Sequence, residues 1–154
     1  TKKFPAKRYI PGMTTNRFAR LCMEGSDLPD EKNDPAWGKC PLLENDLCTV
    51  YDVRPLGCRA MMSKTDCRHT GCAHMPPWIL TVNNLFLQAV EHLDQKGCSG
   101  NLSDMLLVSL SGKDTKKKAW FVKNEPIPVL MIPPEHRERV ASVVKDLSDI
   151  CTSL

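Results

Sequence analysis

The sequence predicts a small, mainly α domain, its helices gathered around an irregular cysteine-rich segment with at most a short β-hairpin beside them. Three observations carry this. Apolar residues recur at three- and four-residue spacing after Thr14, Pro77, Asn101 and Pro134, the period of helices with one face on a core. Cys40, Cys48, Cys58, Cys67 and Cys72 crowd between residues 40 and 72, where Pro41, Pro55, Gly57 and Gly71 interrupt any such period. A chain of 154 residues is long enough to bury one core, so residues 1–154 read as a single domain. Its cysteine-rich segment spans 40–77 and its helical part 78–154.

Residues 14–24 (TTNRFARLCME) make the first expected helix, capped by a threonine, with Phe18, Leu21 and Cys22 on one face and Gly25 as its stop. Residues 26–39 are rich in Asp, Pro, Asn and Gly and read as loop. The stretch from 40 to 77 has little regular structure of its own, so cross-links must supply the missing constraint. The clearest helix follows Pro77: Val82, Leu85, Phe86, Ala89, Val90 and Leu93 share a stripe that Gly97 ends. Asn101 or Ser103 caps another helix carrying Leu102, Met105, Leu106 and Leu110. Residues 119–132 (AWFVKNEPIPVLMI) look extended, but Pro126 and Pro128 limit them to an edge hairpin. Pro134 opens a final helix that buries Val140, Val143, Val144, Leu147 and Ile150.

Composition sets several function classes aside. No run of about 18 apolar residues occurs, so no transmembrane helix is expected. The opening TKKFPAKRYIPG is basic but lacks the apolar stretch of a secretory signal. The chain begins with Thr1 rather than Met, which suggests processing or an incomplete N-terminus. A net charge of +3, from 21 Lys and Arg against 18 Asp and Glu, is too weak to argue for nucleic acid. The basic run KDTKKK at 113–118 reads as a solvated loop. A cytoplasmic chain with no membrane or nucleic-acid partner is the expectation. No nucleophile elbow, phosphate loop or zinc-protease helix occurs, so no catalytic residue is assigned, and His92 and His136 read as solvated.

The eight cysteines allow three readings: disulfides, a bound metal or cluster, or buried thiols. A disulfide framework comes second, because no signal is visible and a chain of this length needs no staple. Cys22 and Cys151 lie on apolar helix faces and read as packed thiols, and Cys98 beside Gly97 is read the same way. The clustered five differ. Converging thiolates bind zinc tetrahedrally or hold an iron–sulfur cluster. The spacing C-x7-C-x9-C-x8-C-x4-C is neither a zinc-finger knuckle nor a ferredoxin run. Cys40, Cys48 and Cys58 form the expected base of the site, completed by Cys67 or Cys72, with His69 and His74 as less favoured ligands. Four thiolates on zinc leave a charge of about −2, which Arg54 and Arg59 on either side of Cys58 can offset. Pro55 and Gly57 permit the turn that brings Cys58 back toward Cys48.

The stretch around these cysteines carries a resemblance. Cys-Pro-Leu-Leu at 40–43, then Cys-Thr-Val-Tyr-Asp-Val-Arg-Pro-Leu-Gly-Cys-Arg at 48–59, is similar to the YkgJ-like (CxxCxxCC) cysteine-cluster family of zinc- or iron-chelating proteins. Cys40, Pro41, Cys48, Tyr51, Arg54, Pro55, Cys58 and Arg59 fall on that family's pattern one by one. The family's N-terminal C-x2-C-x2-C-C block is not within residues 1–154. Either it precedes Thr1, or Cys67, Cys72 or a histidine completes the site here. The resemblance implies a metal-chelating module, with zinc as the first choice of ion and iron or an iron–sulfur cluster as the second. Flagellin lysine N-methylases carry a similar cysteine arrangement, which implies the alternative of a redox protein or enzyme.

Overall fold

The structure, a computed structural model, describes residues 8–28, 40, 42–65, 74–111 and 120–152. It is mainly α. Helix α1 spans Thr15–Met23, α2 Leu56–Arg59, α3 Pro77–Leu93, α4 Leu102–Ser111 and α5 Arg137–Thr152. Strands β1 (Leu43–Glu44) and β2 (Leu47–Cys48) form one antiparallel pair, and β3 (Cys98–Gly100) and β4 (Phe121–Lys123) another. Single 3-10 turns occupy Tyr51–Val53 and Pro134–His136.

Helix α3 is the central element. One side packs on α5, where Leu85, Ala89, Val140 and Leu147 are buried and Val82, Leu130, Ile132, Val143, Val144 and Cys151 close around them. The α5 stripe therefore lies where its period placed it, except that Ile150 is half exposed and Cys151 packs in its stead. Removing these branched and aliphatic side chains from water is what holds the two helices together.

The α1 side of α3 is polar. Asn16, wholly buried, donates from Nδ2 to the carbonyls of Gln88 and Glu125 at 3.1 and 2.8 Å. Gln88, equally buried, donates to Asn16 Oδ1 and the Val129 carbonyl and accepts from the Met131 N–H. Glu91 takes the Asn16 N–H on one carboxylate oxygen (2.9 Å) and the Glu125 N–H on the other (2.8 Å). Asn16 lies in the first turn of α1, where backbone N–H groups lack helical partners. Glu91 therefore caps α1 from a different helix, beside the local cap that Thr14 Oγ1 gives the Arg17 N–H. Among the described residues no buried side-chain polar atom is left unpaired. An unpaired one would cost about 1–3 kcal/mol.

This network corrects the expected face of α1. Asn16 and Ala19 are buried, while Phe18 and Cys22 are exposed. The hydrogen bonds to α3 select the docking face, so Cys22 is not a packed thiol. Thr14 and Gly25 delimit the helix as expected, Gly25 at φ 64° with Gly25 N–H and Ser26 N–H closing onto the Cys22 and Leu21 carbonyls. On α3, Phe86, Val90 and Leu93 are exposed, because the helix is packed on two sides and its apolar stripe runs past both. On α4, Asn101 caps through Oδ1 to the Ser103 N–H, Val108 is buried and Leu110 is exposed.

The extended stretch 119–132 makes no hairpin of its own. Among its described residues, 120–132, only Phe121–Lys123 is strand, paired antiparallel with Cys98–Gly100. Pro126 and Pro128 fall beyond it. A Cβ at Gly100 would collide with the Phe121 ring. Neither histidine expected to be solvated is free of the fold. His92 Nδ1 accepts the Ile127 N–H at 3.2 Å, and His136 Nδ1 meets Thr81 Oγ1 at 2.8 Å.

Candidate metal centre

Between α1 and α3 in the chain, residues 40 and 42–65 build a lobe from tight turns. Asn45 and Asp46 both adopt left-handed backbone (φ 50° and 61°), the two-residue loop of a type I′ hairpin, which Asn and Asp tolerate better than other side chains. That loop sets the register of β1 on β2 and places Cys48 opposite Leu43. The Leu43 N–H donates to the Cys40 carbonyl at 3.1 Å, and the Thr49 N–H and hydroxyl both reach the Leu42 carbonyl at 2.9 Å. Cys40 and Cys48 are thereby held at the open end of one hairpin. The sequence carries the signal for it, Asn45-Asp46 between leucines, though the stretch reads as irregular when only long periods are sought.

Cys58 arrives by a second turn. Pro55 precedes α2 and accepts the Cys58 N–H at 3.0 Å, so the thiol stands on a single helical turn. The two arginines hold this turn in different ways. Arg54 lies 3.7 Å over the Tyr51 ring and donates to the Tyr51 carbonyl. Arg59 donates to the Arg54 carbonyl at 2.8 Å and to the Asp52 carbonyl at 2.6 Å. Arg59 thus acts on the backbone that carries Cys58, whereas Arg54 acts on its sulfur. Burial pushes the Cys58 thiol pKa up, the charges of Cys40 and Cys48 push it further, and the Arg54 guanidinium opposes them. Both other cysteines therefore bear on Cys58. Cys40 is exposed, and Cys48 and Cys58 are half-buried.

That influence is not yet a coordination shell. Among the described residues no three Cys, His, Asp or Glu side chains already stand as a metal ion requires. Cys67, Cys72 and His69, expected as completing ligands, lie outside the described residues. His74 is exposed, and its N–H and carbonyl bond Ser63 Oγ and the Lys64 N–H, both at 3.0 Å. The chain on either side of residues 66–73 is thus tied together at the edge of the lobe. Asn83 of α3 donates to the Ala60 carbonyl at 2.9 Å and joins the lobe to the helices.

The remaining cysteines are elsewhere. Cys151 packs on the core, Cys22 is exposed, and Cys98 is half-buried in β3. Cys98 faces an open groove of about 620 Å³ with Tyr9, Met13, Phe18, Leu87 and Met105, and no described residue of the lobe lines it. No family model, curated protein or solved structure matches this chain.

Proposed function

We propose that the lobe is a thiolate metal site, with Cys40, Cys48 and Cys58 as ligands and Cys67 or Cys72 completing it, and that the protein is a chelating module for zinc. The single observation that carries this is made at one thiol: the charges of Cys40 and Cys48 both bear on Cys58. A bound zinc ion would supply the positive charge that lets these thiols ionise together. The protein's own residues do the rest. The Asn45-Asp46 hairpin presents two sulfurs, Pro55 and α2 present the third, Arg54 offsets negative charge at Cys58, and Arg59 fixes the turn between them. Because Cys58 holds its proton more tightly than an ordinary thiol, the ion must displace that proton, and affinity rises with pH until the raised Cys58 value is passed. No described helix is long and apolar enough to cross a membrane, and a cytoplasmic setting suits thiols kept reduced.

Elemental analysis of protein prepared without oxygen tests the reading. About one zinc per chain is expected, bound without colour. Several irons with sulfide and absorbance near about 400 nm would transfer the site to a cluster and favour the redox or enzyme alternative. Metal-free protein with its cysteines joined in disulfides would overturn it.

A further inference from the structure

We propose that the free edge of β3 and the groove beside it form a docking site for an extended, uncharged peptide segment, which adds to the β3–β4 pair as a third strand. The inference is independent of the metal reading, since no described residue of the lobe lines the groove. Among the described residues β3 has a strand on one side only. Its register, Cys98 with Lys123, Ser99 with Val122 and Gly100 with Phe121, continues one step to Gly97 and Asn124. There the Asn124 N–H donates to the Gly97 carbonyl at 3.3 Å. Hydrogen-bonded and non-hydrogen-bonded pairs alternate along an antiparallel ladder. Gly97 and Ser99 therefore turn their N–H and carbonyl toward β4, and Cys98 and Gly100 turn theirs outward. No other described backbone group meets those four. Such an edge is a template for another strand.

The groove follows this edge. Cys98, Ser99 and Gly100 all line it, although successive side chains of a strand point to opposite faces. Phe18 of α1, Leu87 of α3 and Met105 of α4 supply apolar walls, and about 620 Å³ stays open between them. In a chain that is 25% charged, no lining residue carries a charge, so the segment that fits is itself uncharged. Met13, Met105 and Met131 make walls that adapt to side chains of differing shape. A small apolar molecule would satisfy the walls but leave the Cys98 and Gly100 groups unmet. An extended peptide satisfies both, its backbone on the edge and its alternate side chains in the groove.

The test is an NMR titration of the full chain with a capped hexapeptide alternating Val and Thr, and with two analogues N-methylated on the Val or on the Thr residues. Alternate N–H groups of a strand point to opposite edges. The parent peptide and one analogue should therefore bind, shifting the Cys98 and Gly100 amides and slowing their exchange. The other analogue should bind roughly tenfold more weakly or worse, for want of its hydrogen bonds. Leu87→Lys, at a position already 40% exposed, should weaken the parent peptide about tenfold by placing a charge in the groove, with the melt unchanged. Equal binding of both analogues, or unchanged affinity in Leu87→Lys, overturns the proposal, and so does no binding at millimolar peptide. Slow exchange of the two amides in the free chain would mean that the edge is already taken. Protection that grows with protein concentration would assign the edge to a second copy, and either result overturns the peptide.

Discussion

The α3–α5 core and the cysteine lobe are held by opposite means. In the core, Leu85 and Val140 are fully buried and the polar groups along α1 are paired. In the lobe, Leu47, Tyr51, Val53, Met61 and Met62 are each 59% exposed or more, and order comes from backbone turns and two arginines. A structure of that second kind has little hydrophobic free energy of its own. Cys40 and Cys48 both bear on Cys58, no three ligating side chains among the described residues stand as a metal ion requires, and on the proposed reading a bound ion would supply the remaining constraint. The difference teaches where each class of mutation should register: core changes in global stability, lobe changes in metal retention.

The largest effect separates the two regions outright. Serine at Cys40, Cys48 or Cys58 should abolish stoichiometric zinc, because metal binding free energy there is folding free energy, on the order of 10 kcal/mol at neutral pH. The melting of the helical part should move little. Zinc content and circular dichroism melts of the three variants check this, and zinc retained by all three removes them as ligands.

Leu85→Ala should do the reverse. It opens a cavity in the core at a cost of about 2–5 kcal/mol, read by denaturant unfolding, while the folded variant keeps its zinc. Loss of zinc from folded Leu85→Ala would mean that the lobe is organised by the core after all.

Arg59→Ala sharpens the comparison inside the lobe. It removes two bonds to the carbonyls of Asp52 and Arg54 and should weaken zinc retention by roughly 10–100-fold in chelator competition. Equal affinity in variant and parent would mean that the turn does not depend on the guanidinium. The smallest effect belongs to Cys22→Ser. An exposed thiol on α1 should cost less than about 0.5 kcal/mol and leave zinc unchanged. A larger loss in the melt would place Cys22 in a contact of its own.

The same contrast explains what the sequence made legible. Helices that obey a period over many residues, as α3 and α5 do, are visible because burial imposes the period. The α5 stripe at Val140, Val143, Val144 and Leu147 is the clearest case. The docking face of α1 is not visible, because it is chosen by Asn16 meeting Gln88 and Glu91, partners more than seventy residues away in the chain. The pairing of Phe121–Lys123 with Cys98–Gly100 is equally nonlocal. In the lobe, cysteine density and the Arg54–Pro55 turn mark the candidate site, and the Asn45-Asp46 loop is a local signal of the hairpin. The division of labour between Arg54 and Arg59 needs the backbone, since the sequence shows only that one stands on each side of Cys58.

Amide hydrogen exchange of the full chain, with zinc and after its removal by a chelator, tests the central claim most directly. Residues 42–65 should exchange markedly faster once zinc is removed, and the core segments 82–90 and 140–147 should exchange at the same rate in both states. Identical exchange across 42–65 with and without zinc would contradict the account, because the lobe would then owe its order to the chain alone.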